Sequence, residues 1–491
     1  MTLPSNLKYA PPSSILIIGA GVFGLSTALA LTKRAVFANT SITIIDRSTP
    51  TGSLGDDLFP AHDASSVDSS RIVRADYSDP AYTALGRAAQ EEWRKTGPGE
   101  LGEGTYFESG LVFAADSGPS ASAVKRVDTK KKKTAMDYVR DSYENVKMAP
   151  GQEGEGETLV SLGSAVDLMQ ATGAAGHIGD WGYLNRKSGW ADAEGGMKWL
   201  TKRVKDTGRV RFVPGTVEML LWANESVTGV RLIDGRELLS DLCILAAGGW
   251  TGRLADMKNI CTSTGQALGY LNITEEEERT MEDMPVILNF STGLFVLPPR
   301  NRILKVARHA YGYFNPVQVP SSLVLPPKPP SASDAPREGS VTISLPVTTA
   351  EIPTLQLPLE AQLDLRQCLR SYTRLAELAD RPWAATRLCW YNDTADGNFL
   401  VDYHPHWRGL FVATGGSGHA YKFLPVLGEA VVDVMVRDPR SDELRKRWVW
   451  REGGKVKIRE GFDAVVTEDG SRSGRLGMVL QEELRKRSPK L

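Results

Sequence analysis

The stretch ILIIGAGVFGLSTALALTKRAVFANTSITIID, residues 15–46, decides the fold. A short apolar run, 15–18, enters a turn with Gly19, Gly21 and Gly24 in G-x-G-x-x-G spacing. A helix-compatible segment follows, and a second β-like run, 42–45, ends in Asp46. Each part has a mechanical role. Gly19 permits the tight turn, Gly21 leaves room for a pyrophosphate, and Gly24 lets helix and strand pack closely. The helix N-terminus offers free amides to phosphate, and Asp46 can accept hydrogen bonds from ribose hydroxyls. The acid argues against a 2′-phosphate, so the ADP expected here belongs to NAD or FAD.

With 491 residues the chain can bury a large core and divide into two or more domains. Its hydrophobic and charged contents, 41% and 24%, are ordinary for a globular protein. A formal net charge of −1 gives no reason to expect nucleic acid or a membrane as partner. The lysine run at 130–133 reads as a solvated loop. No secretory h-region is expected at the start, and the apolar stretch 15–31 is broken by its glycine turn. Cys243, Cys261, Cys368 and Cys389 are scattered, matching neither a zinc spacing nor a disulfide framework, so no metal is expected and a reducing compartment fits. The final Pro489-Lys490-Leu491 resembles a degenerate small-basic-leucine peroxisomal address, so a peroxisomal or cytoplasmic location is expected.

Further along, 71–74 reads as extended, 80–93 as helical and 106–114 as one strand. Residues 115–160 read as an insertion, part helix and part loop. A helix ends at 199–205, a strand follows at 210–213, and a hairpin spans 227–239 around Asp234-Gly235. The run 242–247 is a buried strand leading to Gly248-Gly249, which places Gly248 beside the dinucleotide. Nucleotide-binding sequence therefore recurs far from the N-terminus, an interleaving typical of FAD folds. The segment 318–338 reads as a proline-rich surface loop.

The C-terminal motifs CWYNDT (389–394), NFLVD (398–402) and FVATGGSGHAYKF (411–423) add to SSRIVR (69–74), DYSDP (76–80), SGWADAEGG (188–196), AAGGWT (246–251) and TGQ (264–266). Together they resemble the monomeric sarcosine oxidase, fructosyl amino acid oxidase (amadoriase) and pipecolate oxidase group of the D-amino-acid-oxidase superfamily. The resemblance implies FAD, held through an 8α-S-cysteinyl thioether to Cys389, since a thiolate can add to an electrophilic ring. The glycine-rich turn with Gly416, Gly418 and His419 opens a helix predicted over 422–436, whose amides can face the flavin N1–C2=O edge.

The same resemblance gives Lys422 and Arg74 the substrate carboxylate, a task suited to a guanidinium fork. It places Arg71 close to the flavin. Residues three apart on a strand face opposite ways, so Arg71 and Arg74 should do different jobs. Lys305 matches a family lysine that lies over the flavin and helps it react with oxygen, a cation stabilising developing superoxide. His309 and Tyr391 match an active-site histidine and tyrosine of sarcosine oxidase. A tyrosine expected just before Pro298 is replaced by apolar residues 294–297.

The fold expected is α/β with two interleaved domains. Residues 1–86, 185–255 and 394–491 form a FAD-binding Rossmann-like domain. Residues 87–184 and 256–393 form a substrate domain, a mainly antiparallel sheet with helices on its outer face. The function expected is oxidation of secondary amines, N-methyl, N-fructosyl or cyclic amino acids, to an imine and hydrogen peroxide by a monomer using molecular oxygen. The alternatives are a tailoring oxidase of an N-methylated aromatic amino acid with oxidative ring closure, and a non-catalytic FAD-fold binding protein.

Overall fold

The computed structural model describes residues 9–47, 60–118, 133–149, 158–331, 338–349 and 351–486. The opening stretch folds as its pattern dictates. Strand β1 (Ser14–Ile18) turns at Gly19 into helix α1 (Val22–Lys33), and strand β2 (Ser41–Asp46) pairs parallel to β1. The β1 side chains Ile15 to Ile18 are all buried, because this strand lies in the middle of a sheet covered on both faces.

That sheet has six strands. From one edge they run Leu400–Tyr403, Leu410–Thr414, Leu242–Leu245, β1, β2 and Val210–Pro214. All neighbours pair parallel except the edge strand Leu400–Tyr403. Helix α1 packs against the helix Leu424–Met435 so closely that a Cβ on Gly428 would lie 1.8 Å from the Ser26 carbonyl oxygen.

A second sheet of ten strands, mostly antiparallel, stands beside it. Its spine is Cys261–Asn272, which pairs over ten positions with Ala385–Thr394 on one side and with Ile303–Arg308 on the other. One face buries Leu304, Val306, Leu388 and Trp390 against the helix Leu359–Tyr372. The opposite residues, Lys305, Ala307, Cys389 and Tyr391, look toward the first sheet, as the period of two requires. The short strand Met478–Val479 joins this larger sheet, so the C-terminal stretch serves both sheets.

Three expectations need correction. Residues 106–114 are two strands, Tyr106–Phe107 and Leu111–Ala115, in different sheets; Gly110, at φ +85°, breaks the run. The 115–160 insertion is anchored. Its helix Ala135–Lys147 packs on Leu111, Phe113 and Phe290 at the inner face of the large sheet, so not every helix lies outside. The 318–338 region starts as one arm of a hairpin, Pro316–Pro320 with Ser340–Ser344, and Val324 and Leu325 are buried rather than exposed. Lys133 is exposed and pairs with Asp141, while 130–132 and the terminal 489–491 lie outside the described residues. Among the described residues, no helix is long and apolar enough to cross a membrane.

Candidate active site

A cavity of about 430 Å³ opens at the carboxyl ends of the six-stranded sheet. Gly19, Gly21, Asp46, Gly248, Gly416, Gly418 and His419 all line it. Gly19 adopts φ +108°, and a Cβ there would lie 2.5 Å from the Ala246 carbonyl oxygen, so only glycine fits. A Cβ on Gly24 would lie 1.9 Å from the Gly19 oxygen; this glycine lets the helix press onto its own turn. The Ala20 amide donates to Asp46 Oδ2 at 2.7 Å, which fixes the carboxylate at the cavity wall. Glycine walls, helix N-terminus and acid form a cradle that fits a dinucleotide.

A second cavity, about 70 Å³, adjoins the first, and Arg71, Tyr391, Gly418, His419 and Tyr421 line both. Cys389 is buried there, opposite Gln266 on the spine strand, with Arg71 Nη2 3.4 Å from its sulfur. Cys389 and Tyr391, two apart, share this inner face, while Trp390 points away and donates to the Val347 carbonyl oxygen at 2.7 Å.

Arg74 reaches this cavity from the other side. Its guanidinium lies 4.1 Å from the Tyr77 ring centre and 4.8 Å from that of Phe113. Nη2 is 3.4 Å from the Tyr138 hydroxyl, and Nη1 is buried with no partner among the described residues. Lys422, also buried, donates to the His419 carbonyl at 2.8 Å and stands 5.5 Å from the same Tyr77 ring. Burial pushes Lys422 well below the usual lysine range, and Arg74 and Arg71 push the same way. The Arg74 guanidinium and the Lys422 amine thus share a buried space in which, among the described residues, neither is paired with a carboxylate. The stretch expected to be extended over 71–74 is a strand only to Val73, so the opposite-faces argument does not separate Arg71 from Arg74: both line the small cavity.

Lys305 is buried with its ammonium 2.7 Å from Asp68 Oδ2 and 2.7 Å from the Ser70 carbonyl oxygen. Arg71 also pairs with Asp68 Oδ2, and the Tyr270 hydroxyl donates to Asp68 Oδ1 at 2.7 Å. Burial lowers Lys305 to about 8, with Asp68 opposing that shift. His309 lies against Arg472, whose Nη1 is 2.8 Å from Nδ1, and 5.8 Å from the Tyr391 ring centre. Burial, Arg472 and Arg74 hold His309 well below its ordinary range, so its ring is neutral. His419 is held between the Tyr77 hydroxyl, 3.0 Å from Nδ1, and the Gly397 oxygen, 2.8 Å from Nε2. The residue picked as the helix start, Lys422, sits instead in a single 3₁₀ turn, Tyr421–Phe423, before the α-helix begins at Leu424.

The structure therefore brings Arg71, Arg74, Lys305, His309, Cys389, Tyr391, Gly418, His419 and Lys422 around one small cavity. The sequence reading missed three neighbours. Asp68 stands three residues before Arg71, just ahead of the SSRIVR motif, and an acid so close to that arginine was its signal. Tyr138 comes from the insertion helix, and Arg472, buried with Asp393 at 2.6 Å, from beyond the motifs. Nothing in the local sequence marks those two.

Residues 14–434 match the family described as FAD dependent oxidoreductase. The amino acid oxidase imqH of Aspergillus flavus is 31% identical, over 90% of this chain and 98% of its own. The L-saccharopine oxidase of Schizosaccharomyces pombe is 28% identical, over 90% and 94%. Among solved structures, Amadoriase I of Aspergillus fumigatus, a fructosyl amine:oxygen oxidoreductase, is 26% identical with a TM-score of 0.67 and 90% of each chain covered. The family match spans both the dinucleotide cradle and the small cavity, from Gly19 to Lys422. The chain belongs to the FAD-dependent oxidoreductase family and is an oxidoreductase enzyme of its amine and amino acid oxidase branch.

Proposed function

We propose that this enzyme oxidises secondary amines that carry a carboxylate, N-methyl, N-fructosyl or cyclic amino acids, to imines, with molecular oxygen as acceptor and hydrogen peroxide as product. The observation that carries the reading is the pair Arg74 and Lys422, buried side by side with Arg74 Nη1 unsatisfied. A buried cation without a partner is costly, and a carboxylate relieves that cost through charge-assisted bonds. Bound FAD would supply the two-electron acceptor.

This chain's residues then have separable roles. Gly19, Gly21, Gly24, Asp46 and Gly248 would hold the dinucleotide. Arg71 and the turn with Gly416, Gly418 and His419 would meet the flavin, and Cys389 would carry it covalently. Arg74 and Lys422 bind the carboxylate and so fix the carbon beside the amine nitrogen. Leu268, Leu288, Phe290 and Phe295 line the same cavity and exclude water. Tyr391 and neutral His309 border the space left for the amine. Lys305 presents the fixed cation for the oxygen step. In this reading residues 1–86, 185–255 and 394–491 serve the cofactor and 87–184 and 256–393 the substrate. The protein acts as a monomer, in peroxisome or cytoplasm.

The aromatic pair Phe290 and Phe295 favours one second reading, a tailoring oxidase of an N-methylated aromatic amino acid with ring closure. A peroxide-coupled screen over N-methyl, N-fructosyl and cyclic amino acids tests both. Turnover of a carboxylate-bearing secondary amine is expected. No peroxide from any of these, or equal turnover of the decarboxylated amines, overturns the proposal.

A further inference from the structure

Around Lys305 the structure holds a buried acid, Asp68, paired directly with two cations, Lys305 and the part-buried Arg71. Asp68 is 5% exposed and Lys305 3% exposed. Five donors converge on the Asp68 carboxylate. They are the Lys305 ammonium, the Arg71 guanidinium, the Tyr270 hydroxyl, and the Ser69 amide and hydroxyl, at 2.7 and 3.4 Å from Oδ1. Tyr270 and Lys305 are direct partners across two paired strands, so the sheet itself aims both at the acid. The charged groups around the acid come from three strands. Arg71 comes from the strand Arg71–Val73, Lys305 from Ile303–Arg308, and Arg387 and Cys389 from Ala385–Thr394. Arg387 faces the acid as a third cation, and its own hydrogen bonds go to the Val67 and Ala64 carbonyls.

We propose that Asp68 is a positioning residue for the oxygen step: it keeps the proton on Lys305 beside Arg71 and holds the ammonium in place at the wall of the small cavity. This rests on the oxygen role given to Lys305 above. The physical case is simple. Without Asp68, Lys305 and Arg71 would be cations with no counter-charge. Arginine does not give up its proton, so lysine would. The lysine would then be a neutral amine across the neutral pH range and could no longer stabilise negative charge. With Asp68 in place, the cluster of Lys305, Arg71 and Asp68 carries one net positive charge.

The direction of the lysine's proton affinity agrees. Burial brings Lys305 down to about 8, Asp68 pushes it back up, and Arg71 pulls it further down. Losing an opposite charge at this distance lowers a pKa by about 1–3, which would take Lys305 to about 5–7.

The test compares wild type, Asp68→Asn, Asp68→Glu and Lys305→Met as flavin-loaded enzymes. Stopped flow measures the rate with oxygen and, separately, the anaerobic rate with substrate, from pH 6 to 9. A second readout is the ¹⁵Nζ titration of labelled lysine, with the Lys305 signal identified by its loss in Lys305→Met. Wild type should lose about half its oxygen rate between pH 6 and pH 8. Asp68→Asn should lose about 10- to 100-fold over the same range and recover on acidification, with the Nζ signal titrating in step. Asp68→Glu should follow wild type. A merely structural role would not be restored by acid. If Lys305→Met is slow with oxygen yet Asp68→Asn keeps the wild-type profile and titration, the inference about Asp68 is wrong. If Lys305→Met reacts with oxygen normally, the oxygen role of Lys305 fails instead, and the Nζ titration still decides whether Asp68 holds the proton.

Discussion

Replacing Arg74 with methionine separates recognition from stability. The side chain is 6% exposed, its Nη1 has no hydrogen-bond partner among the described residues, and it meets the Tyr138 hydroxyl at 3.4 Å and the faces of Tyr77 and Phe113. Methionine keeps the apolar stem between Tyr77 and Phe113 and removes only the charge. A hydrogen bond to a charged group contributes about 1.5–3 kcal/mol, so kcat/KM for a carboxylate substrate should fall about 10- to 150-fold. The decarboxylated amine has nothing to lose and should change less than about threefold. Stability should move the other way. Trading an unpaired buried cation for an apolar side chain of similar volume is neutral or stabilising, so Tm should hold or rise. The assay is kcat/KM on each substrate and its decarboxylated partner, with Tm measured on the same preparations. Equal weakening toward both compounds would refute carboxylate recognition. A marked drop in Tm would show that Arg74 braces the fold.

Mass spectrometry of the Cys389 peptide should show a flavin adduct, and Cys389→Ala should release all its flavin on acid precipitation; colour lost from the wild type under the same treatment would sink the covalent link. Lys305→Met should slow the reaction with oxygen by about 10²-fold or more while sparing anaerobic reduction, and stopped flow of the two half-reactions reads this directly. Because Lys305 sits at about 8 in the fold against an ordinary 10.5, the unfolded chain holds a proton that the fold has released between those values. This group's contribution to stability should therefore rise with pH across that window, while the oxygen rate falls as pH passes 8; Lys305→Met should lose both trends. Gly418→Ala should lose bound flavin, since φ is +68° and the new Cβ would lie 2.2 Å from the Tyr391 ring; the flavin absorbance per protein checks this.

The Rossmann-like half was legible because its signals are local. Gly19, Gly21, Gly24 and Asp46 sit within one supersecondary unit, and each is needed by backbone geometry alone. The strand Leu242–Leu245 was readable for the same reason, a short apolar run stopped by glycine. The small cavity was half legible. Cys389 and Tyr391 follow from the period of two once the motif places them on a strand. Tyr138 and Arg472 were not legible as members, since tertiary contact with segments distant in the chain brings them in, and Asp68 showed only its nearness to Arg71, not its pairing with Lys305. The single strand expected over 106–114 failed because apolar alternation continues straight through Gly110, where the backbone turns. The proline-rich loop failed because proline counts as exposed punctuation, yet its neighbours Val324 and Leu325 bury beneath it.

The order of strands in the six-stranded sheet sets a timetable for synthesis. β1 emerges first, but its neighbour Leu242–Leu245 follows more than 220 residues later and the next strand in, Leu410–Thr414, almost 400 later. The helix that seals α1, Leu424–Met435, comes later still. At a ribosomal pace of about 5–20 residues per second, Ile15 to Ile18 wait roughly 20–80 s for the last of these partners. Until Leu242–Leu245 emerges this apolar strand has one open edge, and until Leu424–Met435 emerges α1 has no sealing helix. Any truncation before residue 424 leaves α1 without that covering helix, however intact the glycine turn that precedes it.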